Sequence, residues 1–389
     1  MVLIYEDESY KNLFPLTYLR AVFELRVGLF SPLERFLRFY KNFPVAVIAR
    51  EELKEVLKER YPNLLFFSTQ SKISQLKEKN LLFLSGRTII LEKIPEEGEN
   101  CLFFSEEGEL IGFRLNTETE TSISKMGCQR VKAFSFLYLW DLITLNEKIL
   151  PLDLPKGKIL GFLDRRAITI GKKENLFLAK GAKVFPGNVL NLEKGGIYID
   201  EGAEVKPFSY IEGPVYIGKK TQILSARIRP FSNIGEECRV GGEVESSILL
   251  GYVNKYHEGF LGHSYLGEWV NLGAGTNNSD LKNNYSPVKI KIGKREVNTG
   301  LLKLGCFIGD HTKTAIGTLI PTGAVIGIFA NVLKGGFASK FIPNFYWDEK
   351  KRWRIKEALR TARVVKERRG KKLTEAEENL IKKIWLKER

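Results

Sequence analysis

The stretch IDEGAEVKPFSYIEGPVYIGKKTQI, residues 199–223, decides the fold. Ile199, Val205, Ile211, Ile217 and Ile223 stand six residues apart. After a one-residue slip, Ile228, Ile234 and Val240 resume the period. Phe260, Leu266 and Leu272 keep it, as do Ile308, Ile320, Ile326 and Val332, with Thr314 in the remaining slot. Small residues sit beside the aliphatic ones, as in Ile217-Gly218, Ile234-Gly235, Ile308-Gly309 and Ile326-Gly327. A hexad that points one aliphatic side chain inward and turns a corner on a small neighbour makes one face of a triangular prism. The pattern predicts a left-handed parallel β-helix, with repeats from about 176 to 335 inside a domain spanning 156–346.

Two segments interrupt the period. Gly241–Gly259 is irregular, and Thr276–Gly300 is long, polar and rich in asparagine. Solenoids carry their sites on such excursions. Upstream, residues 1–155 alternate strand-like runs (Val2–Tyr5, Val45–Ile48, Leu64–Phe67, Leu81–Leu84) with helical ones (Leu33–Phe39, Glu51–Arg60), which predicts a wound α/β domain. Pro151, Pro155 and Gly157 punctuate its exit. Downstream, residues 347–389 turn helical and basic. Thr374-Glu375-Ala376-Glu377 reads as the N-terminal cap of a last helix through Leu386.

The bulk numbers set limits. The chain has 389 residues, 43% hydrophobic and 28% charged, enough for more than one core. No run approaches the roughly 18 apolar residues of a membrane span. The start, Met1-Val2-Leu3-Ile4-Tyr5-Glu6-Asp7-Glu8, turns acidic at once and reads as a strand rather than a signal peptide. Cys101, Cys128, Cys238 and Cys306 are widely spaced, which fits buried thiols in a reduced, cytoplasmic protein. The net charge is +15, and the tail from Asp348 to Arg389 holds 16 Lys/Arg against 8 Asp/Glu, about half of it. Both signs are mixed at helical spacings there. Nucleic acid is therefore a weaker expectation than small anionic substrates such as sugar phosphates.

The stretch Gly259 to Thr276 carries the chemistry. His263, Tyr265-Leu266-Gly267-Glu268 and Asn271-Leu272-Gly273-Ala274-Gly275-Thr276 follow one another. This order resembles the acetyltransferase half of the bifunctional N-acetylglucosamine-1-phosphate uridylyltransferase/glucosamine-1-phosphate N-acetyltransferase family, with His263 one residue closer to the tyrosine. Asn254-Lys255-Tyr256-His257-Glu258-Gly259-Phe260, Leu281 to Tyr285 and Gly309 to Thr314 are similar to a variant sugar nucleotidyltransferase/acetyltransferase branch. The resemblance implies acetyl transfer from acetyl-CoA to an amino-sugar 1-phosphate. Histidine suits the base that removes the amine proton, so His263 is the expected catalytic residue, with His257 and His311 as lesser candidates. Lys255, Tyr265 and Asn271 would hold the sugar phosphate. Asn284, Tyr285, Lys289 and Lys291 would line the excursion closing over it, and backbone amides of Ala315 to Ala330 would contact acetyl-CoA. A homotrimer is implied.

Phe14-Pro15-Leu16-Thr17-Tyr18-Leu19-Arg20 resembles part of the nucleotidyltransferase signature of that family. Thr17, Arg20, Arg26 and Arg87 would then meet a nucleotide such as UTP. The family's Gly-rich loop has no counterpart, and Ser85-Gly86-Arg87 stands where a magnesium-binding aspartate follows the buried strand. Magnesium is expected only if this domain is active, with Glu6, Asp7 or Asp141 as substitutes, and no metal ligand set is assigned. Two other readings stand beside the enzyme: a nucleotide-sugar-binding sensor or assembly scaffold with a vestigial first domain, and RNA binding by the basic tail.

Overall fold

The structure, a computed structural model, describes residues 1–68, 79–118, 122–348 and 351–388. Residues 158–342 wind into a parallel β-helix, one face of which is a ten-stranded sheet from Lys158–Ile159 to Phe341–Ile342. In register, Leu178 stacks on Ile199, Ile199 on Ile217, Ile217 on Ile234 and Ile234 on Leu249. The ladder continues through Leu266, Ile308, Ile326 and Ile342. All are buried in the prism core. Because side chains alternate across a strand, Tyr216, Asn233, Tyr265, Phe307 and Val325 point outward from the same sheet.

The helix is longer than the repeat alone indicated, beginning at Lys158 and ending at Ile342. Leu261, not Phe260, fills the core at its hexad. Gly241–Gly259 does not leave the helix: Ile248–Gly251 pairs with Ser232–Glu236 in a shortened coil. The second interruption does leave it. Forty-two residues separate the stacked pair Leu266 and Ile308, and within them Lys289–Ile292 and Arg295–Asn298 form an antiparallel hairpin.

One corner of the prism carries an aromatic column. Tyr252, Trp269, His311, Phe329 and Phe345 have φ of 55°, 62°, 59°, 53° and 55°. This left-handed region disfavours bulky residues. Their rings lie nearly parallel in sequence, with centroids 4.1, 6.1, 4.5 and 5.4 Å apart. Equal corners on successive coils aim the rings the same way, and burial with stacking offsets the backbone strain. Helices α4 (Ile355–Glu367) and α5 (Glu375–Lys387) pack over Phe329, Phe345 and Trp353 and join this corner to the first domain's core. Thr374 and Glu377 cap α5 reciprocally, as their spacing predicts. Trp347 lies in a short hairpin, Tyr346–Asp348 with Lys351–Arg352, rather than in a helix.

The first domain is a seven-stranded sheet. Its strands are β1 (Val2–Tyr5), β2 (Val45–Ala49), β3 (Leu65–Ser68), β4 (Asn80–Ser85), β6 (Cys101–Ser105), β7 (Leu110–Asn116) and β8 (Gly127–Val131). The order is β3-β2-β1-β4-β7-β6-β8; β1 to β4 are parallel and β7 runs against β4. A ribbon of β5 (Thr88–Ile90) and β9 (Ala133–Ser135) stands apart. Helices α1 (Pro32–Phe39) and α2 (Lys54–Arg60) follow β1 and β2, and α3 (Leu139–Asp153) leads to the β-helix, with Pro151 inside its last turn. The two domains share an apolar interface: Leu13, Leu16, Val22 and α3 residues pack with Ile248, Tyr265, Phe307 and Val325. At its centre Asn233 donates to the Gly28 carbonyl (2.6 Å) and to Asn146 (2.9 Å). All four cysteines are free thiols; Cys128, against expectation, is exposed. Among the described residues no helix is long and apolar enough to cross a membrane.

Candidate active site

His263 occupies a corner of the prism with φ 47°. Its Nδ1 lies 2.8 Å from Asp280 Oδ2, and the two side chains are 12% and 14% exposed. Asp280 follows the Asn277–Asn278 strand at the start of the long excursion, 17 residues after His263 and so one coil further on. Asn278 accepts from Gly262 N (2.8 Å) and donates to Gly262 O (3.0 Å), while Asn277 accepts from Phe260 N (2.7 Å). The asparagine-rich run thus stitches the coil edge beside the histidine. Gly262 has no Cβ for a steric reason: one there would meet Asp280 Oδ2 at 2.7 Å. Burial raises the Asp280 pKa, but the His263 hydrogen bond and the charges of His263 and Lys303 outweigh it and hold it below the usual carboxylate value. An ionised Asp280 accepts the Nδ1 proton, and in the neutral imidazole this places the lone pair on Nε2.

The other β-helix candidates scatter. Tyr265 is 0% exposed; its hydroxyl accepts from Arg26 N (3.0 Å) and donates to Arg26 O (3.2 Å), so it seals the domain interface and offers no surface to a sugar. Lys255 is buried and donates to the carbonyls of Gly241, His257 and Gly259, and burial lowers its pKa to about 8. Asn271 accepts from Asn254 (2.6 Å) in a ladder on another edge of the coil. Asn284 caps its own turn through Ser286, beside exposed Tyr285. Lys289 faces Glu296 across the hairpin, and Lys291 lies 4.4 Å over the Phe341 ring. The hairpin part of this excursion is turned to the domain interface, because Val288 and Ile290 are buried with first-domain residues. The amides of Gly317 and Ala330 bond within the coils. His257 is exposed, whereas His311 is buried in the aromatic column.

In open α/β sheets, ligands meet the carboxyl ends of parallel strands, here Tyr5–Asp7 and Ser85–Arg87. Of the expected nucleotide residues, Arg20, Arg87 and Thr17 are bonded within the protein, whereas the buried Arg26 guanidinium leaves Nη1 without a hydrogen-bond partner among the described residues. Arg20 forks onto Asp310 of the β-helix. Arg87 binds Asp7 (3.0 Å) and the Phe136 carbonyl. Thr17 donates to Tyr10 O and is fully buried. Arg26 is buried over the Tyr216 ring. The carboxylates are spoken for as well: Glu6 pairs with Arg50 (2.7 Å) and Asp141 accepts two amides at the start of α3. Among the described residues no three His, Cys, Asp or Glu side chains cluster to hold a metal.

Sequence reasoning missed Asp280, whose role depends on coil stacking, and the corner aromatics. Aromatic residues recurring at coil spacing, Tyr252 and Trp269, then His311, Phe329 and Phe345, were the available signal for the latter.

A family model described as sugar nucleotidyl transferase matches residues 2–157. Among named relatives, a bifunctional sugar-1-phosphate nucleotidylyltransferase/acetyltransferase from Sulfurisphaera tokodaii is 30% identical over 299 residues, 71% of this chain and 73% of its own. A bifunctional protein GlmU from Acaryochloris marina is 25% identical over 52% of this chain and half of its own length. Another, from Methanococcus aeolicus, is 34% identical over 34% and 33%. The two-domain order and the likeness to the first of these agree, and the chain belongs to the family of bifunctional, GlmU-like sugar-1-phosphate nucleotidylyltransferase/acetyltransferase enzymes.

Proposed function

We propose that the β-helix transfers the acetyl group of acetyl-CoA to the amine of glucosamine-1-phosphate, with His263 as base. The observation that carries this is the His263–Asp280 pair. The amine nitrogen attacks the thioester carbonyl, forming C–N and breaking C–S. His263 Nε2 takes the proton from nitrogen and passes it to the departing thiolate. Asp280 fixes the tautomer and stabilises the imidazolium that forms between these steps, as a carboxylate does for a histidine base. The six-residue period supports a left-handed winding. Exposed Ile316 (76%) and Phe337 (90%) on adjacent coils support a homotrimer in which a neighbour covers them and closes the site. A cytoplasmic setting supplies both substrates.

For the first domain, a second reading has an observation of its own. Arg20, Arg50 and Arg87 pair with Asp310, Glu6 and Asp7, which favours a binding or assembly role over magnesium-dependent nucleotidyl transfer from UTP. The test of the main reading is thiol release by the purified protein with acetyl-CoA and glucosamine-1-phosphate. His263→Ala should lower the rate by about 100-fold or more. A rate that survives this substitution sinks the assignment of the base. Pyrophosphate release from UTP, magnesium and sugar phosphate would sink the second reading.

A further inference from the structure

The first coil of the β-helix is an open end. Lys158–Ile159, Phe162–Leu163 and Ile168–Ile170 are the outermost strands of their sheets, so one row of their backbone groups has no further strand to meet. Ile159 stands in register with Leu178, which is fully buried in the prism, yet is itself 45% exposed because no coil lies beyond it. Leu160, Phe162 and Ile168 are 50%, 52% and 57% exposed. They come from different sides of one coil, so they ring a flat end rather than line a groove. Solenoids ordinarily close such an end with a polar terminal repeat. Here the apolar ring is set among cations instead. From Lys156 to Glu174 there are six Lys/Arg against two Asp/Glu. All six cations are exposed, and among the described residues only Arg166 is ion-paired, with Asp164. The apolar interface with the first domain uses β-helix residues from Ile248 onward, several coils away.

We propose that this end docks on an anionic lipid surface. Charge decides among the occupants that an exposed apolar end could take. A second copy of the chain would bring an equal excess of positive charge against it, which disfavours self-pairing. A bilayer with acidic headgroups attracts the Lys/Arg rim and takes Leu160, Phe162 and Ile168 into its headgroup boundary. The open backbone groups keep the contact shallow, since they need water or headgroup oxygens as partners. A flat coil end also matches a flat bilayer. His263 lies on a later coil, so the proposal does not rest on acetyl transfer.

Co-sedimentation of the full chain with vesicles tests this. Vesicles of phosphatidylcholine and phosphatidylglycerol, mixed three to one, should bind it about tenfold or more tightly than pure phosphatidylcholine, and added salt should weaken the binding. Phe162→Ser/Ile168→Ser and Lys172→Glu/Lys173→Glu, all on exposed side chains, should each weaken it by about tenfold. The net charge of +15 invites adsorption through any basic face. Lys356→Glu/Arg360→Glu, the same charge change on the exposed face of α4, should therefore leave binding within about twofold. No binding to the anionic vesicles, or an equal loss from the α4 variant, would overturn the proposal. So would binding that survives Phe162→Ser/Ile168→Ser. A lower mass for that variant than for the unchanged chain in light scattering without vesicles would give this end to a second copy, and poly-glutamate displacing the vesicles from it equally well in both would give it to an acidic protein; either overturns the proposal.

Discussion

Arg20 of the first domain and Asp310 of the β-helix are joined by two hydrogen bonds, Nη2–Oδ1 at 2.8 Å and Nη1–Oδ2 at 3.1 Å, with 3% and 1% of their side chains exposed. Asp310 Oδ1 also accepts from Glu268 N (2.6 Å), within the motif that follows His263. The fork therefore couples the position of the first domain to the coil that carries the candidate site. Removing Arg20 strands the buried Asp310 charge, whereas without Asp310 the guanidinium keeps Glu268 at 3.4 Å. Arg20→Ala should cost about 3–5 kcal/mol in denaturant unfolding, Asp310→Asn less, and the Arg20→Met/Asp310→Leu double variant less than the sum of the two single changes.

Asp280 acts through His263. With Asp280→Asn the Nδ1 partner loses its charge and can present the wrong polarity. The kcat of thiol release should fall about 10- to 100-fold, with KM for acetyl-CoA little changed. Equal losses in kcat/KM through KM alone would show that the pair only shapes a binding surface.

Tyr265 separates two roles cleanly. As an interface residue, its hydroxyl is worth about 1–2 kcal/mol of stability and nothing to substrate affinity. Tyr265→Phe should lower the unfolding midpoint and leave KM for the sugar phosphate unchanged in steady-state assays.

His311 is held well below its ordinary pKa by burial first, then by the charges of Lys313, Lys366 and Arg20. Above about pH 6.5 it is neutral in both folded and unfolded chains and adds no pH dependence. Below that pH the unfolded chain takes up a proton that the folded one refuses, so its contribution to stability falls, by up to about 1.4 kcal/mol per pH unit. His311→Phe keeps the ring in the column between Trp269 and Phe329. Unfolding midpoints measured from pH 7.5 to 5 should decline less steeply in this variant.

Two glycines test the packing of the coils. A Cβ at Gly235 would sit 2.0 Å from the Leu250 carbonyl oxygen, on backbone of the next coil that cannot retreat. At Gly317 (φ +69°) a Cβ meets nothing within 4 Å. Gly317→Ala should therefore cost only about 1 kcal/mol of backbone strain. Gly235→Ala should lose several times that, read from thermal unfolding.

The hexad pattern was legible because each coil repeats one environment, so Ile199, Ile217 and Ile234 are selected by the same apolar slot. The cap at Thr374 and Glu377 was legible for a similar reason, since both ends of the interaction lie within one helical turn. The length of the helix was less so: its first coil carries exposed Ile159 and Phe162, where the end of the stack relaxes the pattern.

The sequence by itself determined the prism, the α/β domain in front of it, the helical tail and the histidine most suited to act as a base. These follow from local periodicity and from chemistry that single residues carry. Only the tertiary structure decided what that histidine faces and what the arginines bind. Asp280 reaches His263 because one turn of the coil, 17 residues on, brings the two side chains together. Arg20 meets Asp310 across 290 residues because an apolar interface docks one domain on the other. A guanidinium fits a phosphate or a carboxylate equally well, and the choice between them belongs to whichever surface the fold brings within reach.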